Sequence, residues 1–210
     1  MNIKERACRI HSILDEFFPS PSPSLSFYNP YTFLVAVLLS AQCTDRRVNR
    51  VAPLLFAKAS SPEDMILLSQ DEIIEIVRPC GLGPKKGRAI YELSEMLIAE
   101  YGSNVPDSLE SLMRLPGVGR KTASVVVSQW FGYPAFPVDT HIERCARRWN
   151  LSEKKSVRGV EEDLKALFPI DSWNSLHLQI IYYARAYCPA QRHRVEGCPI
   201  CLMLSEESKG

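Results

Sequence analysis

The chain has 210 residues, 46% hydrophobic and 23% charged, with 25 Lys and Arg against 24 Asp and Glu for a net charge of +1. That profile excludes a disordered tail, a collagen-like chain and a small disulfide-stapled scaffold, and the length suffices for one large domain or two small lobes. Near-neutrality alone argues against a nucleic-acid binder, whose domains tend to be strongly basic.

From the N-terminus, MNIKERACRIHSILDEFF mixes charge into an amphipathic helical pattern and builds no continuous signal core. Pro19 to Ser26 (PSPSPSLS) is a loop or hinge leading to the main body. The longest apolar run, Phe33 to Leu39, is seven residues, where a membrane-spanning helix needs about 20. Residues 89–101 place Ile90, Leu93, Leu97 and Tyr101 on one helical stripe. No alternating strand pattern or fixed repeat interrupts the helical period, so the expectation is an all-α protein of about ten helices.

The densest signal is Asp107 to Phe131, in which DSLESLMRL, PGVG and RKTASVVVSQWF read as helix, turn, helix. Asp107 or Ser108 caps the first helix, and Gly117 and Gly119 permit a tight turn that exposes backbone N–H groups at the start of the second. On turn chemistry this is a phosphate-binding corner or a plain helix corner. The second helix directs Ala123, Val126, Val127 and Trp130 inward, which sends Lys121 to the other side with Ser124 and Ser128, beside Arg120. Lys121 is therefore either a nucleophilic amine or a solvated surface lysine.

A rigid connector, GYPAFP, leads to Val138-Asp139-Thr140-His141-Ile142-Glu143. Asp139 has the place of a helix cap, the usual job of an Asp there, but Thr140 and Glu143 have capping-box spacing and can close the helix themselves, which would leave Asp139 just outside it. In that helix Ile142, Cys145, Ala146 and Trp149 face inward, with Arg144, Arg147 and Arg148 opposite. Of the seven cysteines, Cys8, Cys43, Cys80 and Cys145 are scattered, which suits buried thiols in a reducing cytoplasm. Cys188, Cys198 and Cys201 cluster like metal ligands.

LPGVGRKTA, the Gly/Pro connector, VDTHI, the terminal cysteines and LLSAQCTD at Leu38 to Asp45 together resemble the endonuclease III family of helix-hairpin-helix DNA glycosylases and abasic-site lyases, over nearly the whole chain and in order. The resemblance implies two helical lobes with DNA in the cleft between them. One is a bundle over 23–133 that carries the hairpin; the other joins 1–22 to 134–210 and carries the cysteine loop. It implies a monomer in the cytoplasm, at the nucleoid if bacterial, acting on double-stranded DNA that contains damaged bases or abasic sites, with no membrane partner. Lys121 would attack C1′ of a flipped, oxidised pyrimidine nucleotide and form a Schiff base, with Asp139 assisting. Gly117 and Gly119 would hold a phosphate, Gln42 would fill the gap left by the base, and Leu82 would wedge from the opposite side. Arg120, Arg144, Arg192 and Arg194 would contact the DNA backbone. A monofunctional glycosylase for another lesion and a non-catalytic DNA-binding module remain the other readings.

The family's iron–sulfur loop is spaced C-x6-C-x2-C-x5-C. Here nine residues separate Cys188 from Cys198, and Glu207 stands in the fourth position. Three expectations follow: a [4Fe–4S] cluster with Glu207 or His193 as fourth ligand, a zinc ion in Cys188-x4-His193-x4-Cys198-x2-Cys201, or no metal. Finally, residues 78–88, 114–121, 141–158 and 185–194 carry +4, +3, +4 and +3, so 47 residues hold +14 and the other 163 hold −13. The near-neutral total conceals a polarised chain whose basic segments coincide with the proposed DNA contacts.

Overall fold

A computed structural model describes residues 1–207. Among them, regular structure is helical throughout: α1 (Ile3–Phe17), α2 (Pro30–Ser40), α3 (Asp45–Phe56), α4 (Pro62–Leu67), α5 (Gln70–Val77), α6 (Gly83–Tyr101), α7 (Leu109–Arg114), α8 (Arg120–Gln129), α9 (Thr140–Arg148), α10 (Val157–Leu167), α11 (Trp173–Ala186) and α12 (Pro199–Glu207). That is two more than the periodicity predicted, and one of the two arises because α4 is a six-residue piece separated from α5 only by Leu68 and Ser69. Ser69 and Glu72 form a capping box that starts α5 afresh. The chain divides into two units, Ser24–Gly132 and Met1–Pro23 with the segment from Tyr133 onward.

In the first unit, α2 is the axis. Pro30 at its start and the reciprocal Asn29–Thr32 cap fix where it begins, and every residue from Tyr31 to Leu39 is buried. A helix apolar on all sides must be surrounded, and α3, α6 and α8 pack on it. Each fully buried Leu, Val or Ile there contributes roughly 1.5–3 kcal/mol. A polar pair at this depth satisfies itself, with Tyr31 Oη 2.6 Å from Ser94 Oγ. Gly87 lets α6 lie tight on α5, since a Cβ there would sit 2.5 Å from Ile74 Cγ1.

Two details of α8 differ from the sequence reading. The helix stops at Gln129, so Trp130 is its C-cap, partly exposed, with its ring against Phe27 and Phe33. Ser128 shares Lys121's side by angle but is buried, because that side is open at the first turn and covered at the last.

The second unit packs α1 and α9 on α11, around buried Ile10, Leu14, Phe136, Trp149 and Tyr183. The inward stripe of α9 is as predicted, with Ile142, Cys145, Ala146 and Trp149 all buried. Phe17, Trp149 and Tyr187 set their rings against Tyr183, the first two edge to face.

Candidate functional site

In the first unit, three loops adjoin the C-terminal end of α2. The hairpin turn is held by Val118 N–H donating to Leu115 carbonyl at 3.1 Å, with Leu115 and Val118 buried. Gly117 has φ +76°, and a Cβ there would lie 2.6 Å from Ala89 Cβ and 3.2 Å from Leu38 Cδ1, so conformation and space both demand glycine. Gly119 is the N-cap of α8, where no side chain caps the helix. Lys121 stands exposed one residue into α8, next to exposed Arg120.

The other two loops carry Gln42 and Leu82. Both are exposed and both are non-glycine residues in the left-handed region, at φ +55° and φ +51°. Such conformations are costly for a leucine and persist only where the surroundings impose them. The imposing group is Lys86, one of the charges of the basic segment 78–88. Its ammonium is buried and donates to the carbonyls of Leu39 at 2.8 Å, Ala41 at 2.7 Å and Cys80 at 2.9 Å. Three donors meet three acceptors, and the positive charge closes the C-terminus of α2. Burial lowers the Lys86 pKa, while it pushes the neighbouring Cys80 thiol up to about 11.

In the second unit, Asp139 is the N-cap of α9. Its Oδ1 accepts from His141 N–H at 2.9 Å and Ile142 N–H at 2.8 Å. The expectation that Thr140 and Glu143 would close this helix is thus corrected: an ionised carboxylate is a strong acceptor at the positive helix end. Both cap bonds fall on one carboxylate oxygen. The connector before it is docked on α11 by Asn174 Oδ1, which accepts from Ala135 N–H at 3.2 Å, and by buried His177, whose Nδ1 is 2.8 Å from Pro137 carbonyl. Neither residue had a local signal; a polar residue on an apolar helix stripe was the only hint.

The arginines divide. Arg192 and Arg194 are exposed, and Arg192 has φ +56°. Arg144, expected to face DNA, is part-buried and holds the cysteine loop: its guanidinium donates to Cys188 carbonyl from Nη2 at 3.1 Å and from Nε at 3.3 Å. Arg148 does the same, donating from Nη1 to Pro189 carbonyl at 2.9 Å and to Cys188 Sγ at 3.2 Å.

That loop forms the candidate metal centre. One donor atom from each of Cys188, His193, Cys198 and Cys201 lies within 4.8 Å of all the others. All three cysteines are buried, and His193 Nε2 is buried without a hydrogen-bond partner. Glu207, the other candidate fourth ligand, instead pairs with Arg9 at 3.1 Å. The cluster suits a metal or iron–sulfur centre by donor type, although it offers three thiolates where a [4Fe–4S] cluster normally takes four.

Residues 35–169 match the HhH-GPD superfamily of base excision DNA repair proteins. Endonuclease III of Bacillus subtilis is 41% identical over 210 residues, covering 100% of this chain and 95% of that protein. A solved non-covalent endonuclease III–DNA complex superposes with TM-score 0.92 at 39% identity, covering 100% of each chain. A trapped endonuclease III–DNA covalent intermediate gives TM-score 0.90 at 40% identity, covering 95% of this chain and 94% of that one. The chain belongs to the HhH-GPD superfamily, in its endonuclease III family of DNA glycosylases and abasic-site lyases. Its all-helical fold is that family's fold.

Proposed function

We propose that this chain removes oxidised pyrimidines from double-stranded DNA through a Schiff base on Lys121 and then cuts the strand at the abasic site. The observation that carries this reading is Lys121 itself, an exposed residue at the start of a helix without a side-chain cap behind a glycine hairpin, in a chain 40% identical over 95% of its length to an endonuclease III trapped covalently on DNA.

The target nucleotide leaves the base stack, as chemistry at C1′ requires. Gln42 and Leu82, held in projecting left-handed turns, enter the duplex from opposite sides. Gly117, Gly119 and the α8 N-terminus hold a backbone phosphate, with Arg120 beside them. Lys121 Nζ bonds to C1′ while the glycosidic bond breaks, and the base departs with that electron pair and takes up a proton. Asp139 accepts the proton that Lys121 must lose and offsets positive charge developing at C1′. Opening of the sugar ring gives the Schiff base, which acidifies C2′–H. Loss of that proton expels the 3′ phosphate, and water then hydrolyses the imine and restores the amine.

Arg192 and Arg194 extend the phosphate contacts, while Arg144 acts at one remove by holding their loop. No described helix is long and apolar enough to cross a membrane, and a monomer working on chromosomal DNA in the cytoplasm fits this role. Borohydride reduction on an abasic-site duplex tests the proposal: wild type forms a covalent adduct and Lys121→Ala does not. Base release without strand cleavage or adduct would instead define a monofunctional glycosylase.

A further inference from the structure

We infer that the terminal loop holds one zinc ion, bound by Cys188, Cys198 and Cys201 through sulfur and by His193 through its imidazole, where the family resemblance implies a [4Fe–4S] cluster. The first reason is spacing. Zinc–sulfur bonds of about 2.3 Å and zinc–nitrogen bonds of about 2.0 Å at tetrahedral angles place ligand atoms roughly 3.5–4 Å apart. The four donor atoms here all lie within 4.8 Å of one another, which suits one shared ion. A cubane bonds each thiolate to a different iron at a separate corner, which holds the thiolates further apart than ligands of a single ion.

The second reason is the inventory. Three thiolates and one imidazole form a closed structural zinc set. The positional candidate for an iron–sulfur fourth ligand, Glu207, is engaged with Arg9. Cys145, buried on α9, is not one of the mutually close quartet.

The third reason is the state of the donors and their surroundings. His193 Nε2 is a buried polar atom with no partner, a costly arrangement that a metal bond removes. Tyr183 hydroxyl accepts from Ile200 N–H at 2.9 Å, which leaves its own proton for Cys198 Sγ at 3.6 Å. Arg148 donates to Cys188 Sγ at 3.2 Å. Both bonds stabilise thiolates and fix their direction, as supporting residues of metal sites do. Three thiolates with a divalent ion carry a net −1, which the Arg148 guanidinium offsets.

The ion would close the 188–201 loop onto α9, α11 and α12. His193 lies between Arg192 and Arg194 in sequence, so its ligation would fix the backbone from which both arginines project.

The test uses the full chain purified without chelator from cells supplied with both iron and zinc. We expect about one zinc per chain, no acid-labile sulfide and no visible colour. Cobalt(II) in place of zinc should give the strong visible absorption of a tetrahedral thiolate site. His193→Ala should weaken zinc binding by more than the ~10–100-fold that loss of a supporting residue causes. His193→Cys should keep one zinc and the fold, which separates ligand loss from misfolding. Iron with labile sulfide, a metal-free chain from zinc-replete cells, or undiminished zinc affinity in His193→Ala would each overturn the assignment. Borohydride trapping on the same preparation reads Lys121 independently of the metal.

Discussion

The Lys86 ammonium lies 2.7 Å from the carbonyl of Ala41, the residue before Gln42, and the same nitrogen holds the carbonyl of Cys80, two residues before Leu82. One buried cation therefore fixes the bases of both turns proposed to enter DNA. Lys86→Met fills the space but leaves two buried carbonyls and one part-buried carbonyl without this donor. It should destabilise the protein by on the order of 3 kcal/mol, read as a lower urea midpoint. DNA affinity should fall as well, since both turns lose their anchor. An unchanged midpoint would mean that the turns hold themselves.

Asp139 combines a cap with a proposed chemical role, and substitution separates the two. Asparagine keeps an oxygen for His141 and Ile142 N–H, so Asp139→Asn should melt close to wild type, whereas Asp139→Ala should lose about 1 kcal/mol. Both should lose glycosylase turnover by roughly 10²–10⁴-fold. Full turnover in Asp139→Asn would confine the residue to capping.

Gly117→Ala places a methyl group 2.6 Å from Ala89 Cβ on a backbone at φ +76°. Strain and overpacking together should cost about 3 kcal/mol. Thermal unfolding reads this directly, and Gly119→Ala is the control, because a Cβ there meets nothing within 4 Å. Equal losses at both positions would contradict the close-approach argument.

Phosphate contact makes affinity depend on salt, with log Kd rising by about 0.9 per neutralised phosphate for each decade of salt. Exposed Arg192 and Arg194 should each reduce that slope by about one when changed to alanine. Arg144→Ala should act differently. It releases Cys188 carbonyl and loosens the loop, so it should lower stability as well as affinity.

Much of this was legible in the sequence, and the parts that were not share a physical cause. Helical period placed Ile90, Leu93 and Leu97 in one core and Ile142, Cys145 and Trp149 in the other, because burial on a 3.6-residue repeat is a local property. Gly117 was legible as a turn glycine; that Ala89 and Leu38 crowd it was not. The role of Lys86 was not legible because its three acceptors come from segments 39–41 and 80, and a tertiary ammonium site has no periodicity. Asp139 was misread as lying outside its helix because capping-box spacing at Thr140 and Glu143 competes with an aspartate one residue earlier, and only geometry shows which wins. Arg144 was assigned to DNA from its helical face, with no local sign that Cys188 carbonyl would claim it.

The most direct test of the central claim is peptide mapping by mass spectrometry after borohydride reduction on a duplex that contains an oxidised pyrimidine. A single reduced sugar adduct on Lys121, absent in Lys121→Ala, is the predicted result. An adduct on another residue, or cleavage of the strand by Lys121→Ala at the wild-type rate, would contradict the account.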